Sequence, residues 1–245
     1  MNIHKKYDII VVGGGHAGCE AANIAAKMGS KTLLISMNLF RLAEMSCNPS
    51  IGGIAKGQIV KEIDALGGLT GIVTDLSTIQ FRMLNRSKGP AMWSPRAQCD
   101  RLLFSKIWRQ YIEQNINISL WQDNVTEVIV KDNKAIGVKT ELGLEIFASS
   151  IILTNGTFLN GKIYIGEHVL QGGRLGENSS KGLTKNLESF GLTSDRMKTG
   201  TPVRIDGRTI NFSKTIEQKG DDEPEKFSFS RETSPVKNQL SCFIT

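Results

Sequence analysis

The stretch Tyr7-Asp-Ile-Ile-Val-Val-Gly-Gly-Gly-His-Ala-Gly-Cys-Glu20 decides the fold of this chain. Its apolar residues 9–12 predict a buried β-strand, and the alanine-rich residues 17–28 predict a helix that Gly29 ends. The glycines between these elements follow the spacing Gly-x-Gly-x-x-Gly. A strand, a glycine turn and a helix in this order are the context that a dinucleotide-binding fingerprint requires.

Each glycine of the fingerprint has a separate physical role. Gly13 allows the tight turn, Gly15 lets the backbone approach a pyrophosphate, and Gly18 lets the helix pack closely on the strand. The free N–H groups of the first helical turn then face the phosphates, and His16 is expected to serve this loop structurally. The predicted pyrophosphate-binding residues are Gly13, Gly14, Gly15, His16, Ala17 and Gly18.

The identity of the dinucleotide depends on the end of the second predicted strand, residues 31–35. A carboxylate that binds the ribose is expected there, but the chain has Ser36-Met37-Asn38. The hydroxyl of Ser36 or the amide of Asn38 would have to hold the ribose instead. The missing acid weakens a simple NAD interpretation and leaves FAD open.

Composition restricts the class of protein. The chain has 245 residues, 40% of them hydrophobic, and a net charge of +6, which favours an anionic partner such as a nucleotide or RNA. No apolar run reaches the length of a membrane span, and the polar N-terminus does not resemble a signal peptide. The four cysteines show no paired spacing, so a reducing, cytoplasmic location is expected. The three histidines lack metal-ligand spacing, which argues against a zinc site.

The rest of the chain predicts an α/β fold. Short strands at residues 116–120, 125–130, 135–140 and 144–147 are typical of an antiparallel meander, and residues 151–154 predict a strand that returns to the parallel sheet. Helices are predicted near residues 59–66, 103–111 and 180–190, and the polar residues 214–237 predict a mobile excursion. The fold class is thus a Rossmann-like nucleotide-binding domain with an inserted meander.

Residues 76–99 contain Arg82, Arg86, Lys88 and Arg96 but no acidic residue. Such a run could bind a tRNA backbone, the glutamate tail of a folate or the phosphates of FAD, and Phe81 or Trp93 could stack on a base or pterin. The alternative is an ordinary solvated loop.

With these motifs, the chain resembles the flavin-dependent tRNA uridine 5-carboxymethylaminomethyl modification enzymes, the GidA or MnmG family. The motifs that carry the resemblance are Gly13-Gly-Gly-His-Ala-Gly18, Ser46-Cys-Asn-Pro-Ser-Ile-Gly-Gly53, Asp64-Ala-Leu-Gly-Gly68, Asn85-Arg-Ser-Lys-Gly-Pro90, Gly156-Thr-Phe-Leu159, Gly172-Gly-Arg174 and Lys198-Thr-Gly-Thr-Pro202. The resemblance implies a flavoprotein with two dinucleotide-binding domains, of which this chain is an incomplete, N-terminal portion. Residues 1–205 would be the FAD-binding domain, and residues 206–245 would begin an inserted NAD-binding domain that is truncated here.

The resemblance also suggests site residues. Cys47 is the candidate catalytic residue, because its loop is expected near the flavin ring. The loop is also expected just before a helix, whose N-terminus would lower the pKa of the thiol. The alternative is that Cys47 is a small packing residue. Val125 is expected to meet the adenine through its backbone. Ser180 would cap a helix with its hydroxyl and direct its N–H toward the flavin's phosphate or ribitol, or would be an ordinary cap.

The function that the resemblance implies is FAD-dependent modification of the wobble uridine of tRNA. A one-carbon unit from methylenetetrahydrofolate, with NADH as reductant, would become an aminomethyl or carboxymethylaminomethyl group at C5. The implied partners are tRNA and a GTPase, in a heterotetramer that contains a homodimer of the flavoprotein. Two alternatives stay open: a non-catalytic fragment that binds flavin or tRNA, and a flavin oxidoreductase that acts on a small molecule.

Overall fold

The computed structural model describes residues 7–244. The strands of this part of the chain are β1 (Tyr7–Val12), β2 (Thr32–Ser36), β3 (Ser50–Gly52), β4 (Thr78–Leu84), β5 (Ser94–Cys99), β6 (Ile118–Gln122), β7 (Val125–Lys131), β8 (Lys134–Thr140), β9 (Glu145–Leu153), β10 (Lys162–Ile165), β11 (His168–Gln171), β12 (Ile216–Gln218) and β13 (Cys242–Ile244). The α-helices are α1 (His16–Lys27), α2 (Lys56–Ala65), α3 (Thr70–Ser77), α4 (Arg101–Gln114) and α5 (Leu183–Ser189).

The chain divides into two compact units, each built from two separate segments. The first unit contains the chain up to Ala43 and Trp108–Lys198, and the second contains Glu44–Ile107 and the chain from Thr199 onward. Helix α4 leads from the second unit back into the first. The expected start of a second nucleotide-binding domain at residue 206 concerns a different division and stays a prediction.

The first unit is organised by a six-stranded sheet in the order β6-β2-β1-β9-β8-β7. Strands β6, β2, β1 and β9 are parallel, while β9, β8 and β7 form antiparallel pairs. The predicted α/β class, with a Rossmann-like parallel sheet and an antiparallel meander, is therefore confirmed. The core side chains of this sheet include Ile10, Leu33, Val138 and Ile146, all at most 2% exposed.

Two details of the predicted meander are wrong. The strand expected at residues 116–120 is β6, and it pairs in parallel with β2 rather than joining the meander. The two strands expected at 144–147 and 151–154 are one continuous strand, β9, which pairs with β8 on one side and with β1 on the other. The polar residues Ser149 and Ser150 do not interrupt this strand, because the backbone of Ser150 continues the ladder opposite Ile9.

The second unit contains the three-stranded antiparallel sheet β3-β5-β4 and the two-stranded sheet β12-β13. The sequence predicted no strands in the basic run, yet β4 and β5 occupy most of it. Helices α2 and α3 pack together beside this sheet. Phe81 of β4 is 1% exposed and meets the ring of Phe227 edge to face, with 6.1 Å between ring centroids. Phe81 is therefore a core residue, and the suggestion that it stacks on a base or pterin is wrong.

Residues 226–233 are held in place by two carboxylates. Asp75 on α3 accepts hydrogen bonds from the backbone N–H of Phe227 (2.7 Å) and Ser228 (3.0 Å) and from the Thr233 hydroxyl (2.8 Å). Asp64 on α2 accepts one from the N–H of Phe229 at 2.7 Å. The mobile excursion predicted from composition is thus anchored here, because buried Phe227 and four hydrogen bonds outweigh the polar content of the segment.

We expect Asp75→Asn to lower the free energy of unfolding of the second unit by about 1–3 kcal/mol. An asparagine keeps the shape, but its NH₂ group cannot accept the bonds that one carboxylate oxygen takes from Ser228 and Thr233. Urea unfolding at neutral pH measures the change. Asp64→Asn, which affects one bond to the anchored segment, is the matched control and should cost less. Equal stability of the Asp75 variant and the parent would contradict the anchoring role.

Burial raises the pKa of Asp75 above its ordinary value, although the bonds from Phe227 and Ser228 oppose that shift. A raised carboxyl pKa favours the protonated form in the fold. The stability that this group contributes is therefore fully present below the ordinary carboxyl pKa and declines as pH rises through the higher folded value.

Candidate functional site

The candidate site lies at the edge of the large sheet where its parallel strands end. Ligands of such sheets bind outside the carboxyl ends of the strands. Here the N–H of Gly13 donates to Ile35 O (2.8 Å), that of Asp123 to Ser36 O (3.1 Å) and that of Thr154 to Val12 O (2.8 Å). These bonds join the residues that follow all four parallel strands into one continuous edge.

The three fingerprint glycines have different surroundings. Gly13 has φ +106°, a conformation that favours glycine, and a Cβ there would lie 2.5 Å from the carbonyl oxygen of Thr154. A Cβ at Gly18 would overlap the carbonyl oxygen of Gly13. At Gly15, by contrast, an added Cβ would meet no atom within 4 Å. Gly13 and Gly18 are therefore required by the fold, whereas Gly15 faces open space in which a ligand could approach the backbone.

Helix α1 begins beside this space without a cap of its own. Gly15 is its N-cap and makes no side-chain capping hydrogen bond, and the first turn carries no acidic residue. The first N–H groups of a helix have no partners within it, and the helix dipole places partial positive charge at this end. An open cradle next to an uncapped helix N-terminus fits a pyrophosphate.

The His16 side chain bonds to the backbone of the segment that follows β2. Its Nε2 lies 3.0 Å from the carbonyl oxygen of Ala43, which can only accept, so Nε2 carries the proton. Burial lowers the pKa of His16, and the neutral ring is therefore favoured at neutral pH. The N–H of Ala43 donates to Gly14 O (2.8 Å), so His16 and Ala43 together hold the segment after β2 against the glycine loop.

The side chains proposed for ribose binding make local contacts. The Ser36 hydroxyl donates to Asn38 O at 3.3 Å, and the Asn38 side chain accepts from Phe40 N at 2.9 Å. Sequence reasoning missed Asp123, which follows β6 directly beside the end of β2. Its Oδ1 accepts from Asn124 N, while its Oδ2 is buried and has no hydrogen-bond partner within residues 7–244. The absent carboxylate of β2 thus has a counterpart on the neighbouring strand, which only the strand order reveals.

Val125 and Ser180 both lie in the first unit. Val125 begins β7 and is 2% exposed, with its side chain in the core, so only its backbone can meet a ligand. Ser180 does not cap a helix: α5 begins at Leu183 with Gly182 as its N-cap. The Ser180 hydroxyl donates to Asn124 Oδ1 (2.7 Å) and its N–H donates to Phe158 O (2.8 Å). The predicted flavin contact of Ser180 would require one of these bonds to be exchanged.

Cys47 lies in the second unit, in the loop before β3. Its side chain is partly exposed, and its Sγ lies 3.6 Å from Gly200 O, while Arg204 donates a hydrogen bond to the carbonyl of Cys47. Strand β3 separates Cys47 from α2, which starts at Lys56, so Cys47 does not directly precede that helix as the sequence suggested. The structure brings together two motifs of the resemblance, the Cys47 loop and the segment around Gly200. The catalytic role of Cys47 stays a prediction.

The four cysteines should differ in reactivity. Burial raises the pKa of Cys19 and of Cys99 to about 12, whereas Cys47 and Cys242 are partly exposed. We expect iodoacetamide at neutral pH to label Cys47 and Cys242 at least ~10-fold faster than the other two, because the thiolate is the reactive form. Mass spectrometry of peptides measures this, and labelling in urea, where all four should react, is the control. Rapid native labelling of Cys19 would contradict the packing of α1.

Residues 7–244 contain neither a candidate membrane-spanning helix nor a candidate metal-binding group of side chains. No helix there is long and apolar enough to cross a bilayer. No group of three or more histidine, cysteine, aspartate or glutamate residues in that range is arranged to hold a metal ion.

Comparison with known proteins gives the family. The family model described as glucose inhibited division protein A matches residues 8–245. The chain is 59% identical over 241 residues to the tRNA uridine 5-carboxymethylaminomethyl modification enzyme MnmG of Christiangramia forsetii, and 60% identical over 241 residues to that of Karelsulcia muelleri. These alignments cover 98% of this chain but 39% of each relative, so the chain spans about two fifths of their length.

Comparison with solved structures leads to the same family. The structure of Aquifex aeolicus GidA matches with a TM-score of 0.95 and 46% identity, over 99% of this chain and 41% of that one. A GidA-related protein from Thermus thermophilus matches with a TM-score of 0.56 and 22% identity, over 76% of this chain and 68% of that one, which shows a shared fold alone. The family model covers nearly the whole chain, and the fold agrees with that of a family member. The chain belongs to the glucose inhibited division protein A family.

Proposed function

We propose that this chain is the flavin-binding part of an enzyme that modifies C5 of the wobble uridine of tRNA. The group added would be aminomethyl or carboxymethylaminomethyl, built from a one-carbon unit of methylenetetrahydrofolate with NADH as reductant. The observation that carries the proposal is the combination of an open nucleotide cradle at Gly15 with 59% identity to a protein named as an MnmG tRNA modification enzyme.

The residues at the sheet edge fit FAD. Its pyrophosphate would lie over Gly15, held by the N–H groups of the first turn of α1. The backbone beside Val125 would meet the adenine. Asp123 would accept a hydrogen bond from a ribose hydroxyl after its side chain turns, since its Oδ2 is otherwise unpaired among residues 7–244. Because Gly13 and Gly18 allow no side chain, the loop keeps the shape that these contacts need.

Bound flavin would supply the redox chemistry that joins the one-carbon unit to the base. The chain itself must activate the uridine, because C5 of uracil is a poor nucleophile until a group adds at C6. A thiolate can make that addition: a C6–S bond forms, the electron pair moves to C5 and O4, and the thiol proton passes to a base. After substitution at C5, loss of the C5 proton expels the thiolate. Cys47 is the candidate for this step, or alternatively acts on the flavin side.

The partners follow from the same proposal. We infer that the complete enzyme binds tRNA, works with a GTPase in a heterotetramer that contains a homodimer of the flavoprotein, and acts in the cytoplasm. The surplus of cations, 30 lysines and arginines against 24 acidic residues, supports an anionic substrate such as tRNA.

A second candidate, a flavin- or tRNA-binding fragment without activity, is favoured by one observation: the chain spans 39% of the length of the relatives. A chimera separates the two proposals. Residues 1–245 replace the matching part of a full-length relative, and the chimera and the chain alone are each expressed in bacteria that lack the native enzyme. Mass spectrometry of tRNA nucleosides should show restored modification from the chimera only. An inactive chimera that binds flavin would contradict the enzymatic proposal.

The remaining alternative, a flavin oxidoreductase that acts on a small molecule, makes a different prediction. Such a chimera would reduce a small substrate and would not retain tRNA. Its rate of substrate reduction would not change when tRNA is added. Copurification of tRNA with the chimera, released by salt, would exclude this alternative.

A further inference from the structure

Two arginines of the second unit face each other across a strand pair. Arg82 on β4 and Arg96 on β5 are direct partners in the antiparallel register. The neighbouring β4 residues Phe81 and Met83 are buried, 1% and 8% exposed, so strand alternation places Arg82 on the opposite face of the sheet. In the same row, β3 contributes Gly52 opposite Arg96, and so adds no side chain.

This pair has no compensating charge in the described chain. The Nε atoms of both Arg82 and Arg96 are buried and have no hydrogen-bond partner within residues 7–244. No carboxylate of that region forms an ion pair with either guanidinium. Arg86, by contrast, lies in the connection between the same two strands and pairs with Asp221 at 3.3 Å.

Such an arrangement destabilises the sheet in isolation. Like charges directly opposite each other on paired strands repel, and an arginine cannot lose its proton to relieve that repulsion. A partly buried guanidinium that lacks a partner also retains the desolvation cost of its N–H groups. An oxyanion at the exposed Nη ends would remove both penalties, and two guanidinium forks match the oxygens of a phosphate or carboxylate.

We propose that Arg82 and Arg96 form a binding site for a single oxyanion, the phosphate or carboxylate of a small molecule. The site belongs to the second unit and uses none of the residues assigned to FAD in the first. A compact anion suits the pair better than a polymer backbone, because two directly opposed residues place two cations at one position of the sheet rather than along a line.

The test uses the 245-residue chain with inorganic phosphate and with acetate as probes. We expect phosphate or acetate to raise the unfolding temperature above that in chloride at equal ionic strength. Arg82→Gln and Arg96→Gln should each weaken binding of the effective anion at least ~10-fold, as the loss of a charge-assisted hydrogen-bonding partner predicts. Without that anion, each variant should unfold at a higher temperature than the parent, because the repulsion is gone.

Arg86→Gln is the matched control, since it removes a cation from the same hairpin that already has an acidic partner. It should leave the response to the anion unchanged. A response to phosphate alone identifies a phosphate ligand, and a response to acetate identifies a carboxylate. Unchanged responses in both glutamine variants, or stabilisation by RNA but by neither small anion, would overturn the proposal.

A second measurement does not depend on the folding of variants. Phenylglyoxal modifies accessible arginines, and peptide mass spectrometry locates the products. The effective anion should slow modification of Arg82 and Arg96 in the parent chain severalfold while leaving exposed Arg208 unaffected. Equal slowing at all three arginines would contradict a specific site.

Discussion

Replacing Gly15 with valine should remove bound flavin while leaving the protein folded. The backbone at Gly15 has φ −76° and ψ −174°, which any residue adopts, and an added Cβ would meet no protein atom within 4 Å. The side chain would instead fill the space that we assign to the pyrophosphate. We expect the ratio of visible flavin absorbance to protein absorbance to fall more than ~10-fold, since the close backbone approach to the pyrophosphate is lost. The unfolding temperature of the flavin-free protein should stay unchanged.

Gly18→Ala is the control, and it should lower the stability of the fold, which Gly15→Val should leave unchanged. A single methyl group there would overlap the Gly13 carbonyl and approach the Thr154 hydroxyl within 2.7 Å, so the fold itself should be destabilised by about 1–3 kcal/mol. Asp123→Asn tests the ribose contact and should weaken flavin binding severalfold without unfolding the chain. A Gly15→Val protein that still holds flavin, or that binds NAD tightly in place of flavin, would contradict the assignment.

The parallel sheet could be predicted from sequence because its pattern is local. An apolar run, a glycine turn and an alanine-rich helix at residues 7–28 specify a strand, a loop and a helix without reference to any other part of the chain. The fate of Ser149 and Ser150 could not be predicted in this way. Their place in β9 depends on Tyr7 and Ile9, more than 130 positions away, which provide the partner strand.

The candidate site residues also differ in whether the local sequence or the distant strand pairing reveals them. The contrast between Gly15 and Gly18 follows from the fingerprint, whereas Asp123 becomes a candidate only once β6 is known to lie beside β2. Arg82 and Arg96 were visible as a basic run, but their pairing depends on the register of β4 and β5. Ser180 misled the prediction because a serine near a helix start often caps it, while here its hydroxyl bonds to Asn124.

Cys47→Ser should leave flavin binding intact and remove most tRNA modification. The experiment uses a chimera in which residues 1–245 replace the matching part of a full-length relative. Cys47 belongs to the second unit, whereas the glycine loop and the start of α1 belong to the first, so flavin content should not change. Serine has nearly the same size, but its hydroxyl is a far weaker nucleophile than a thiolate at neutral pH. We therefore expect at least a ~100-fold loss in the rate of nucleoside formation, since removing a nucleophile costs other enzymes far more than that.

The structure makes the substitution a sharp test, because little else depends on the thiol. Sγ makes one long contact to Gly200 O, at 3.6 Å, and the contact of Arg204 is to the backbone carbonyl of Cys47, which serine retains. Cys99→Ser is the control for general damage: that thiol is buried and its pKa is raised to about 12, so its loss should reduce stability without a specific loss of activity per folded molecule. Full activity of the Cys47→Ser chimera would exclude Cys47 from the reaction. Loss of flavin together with activity would instead assign Cys47 to the cofactor side, because a thiol that only attacks the base has no reason to affect flavin retention.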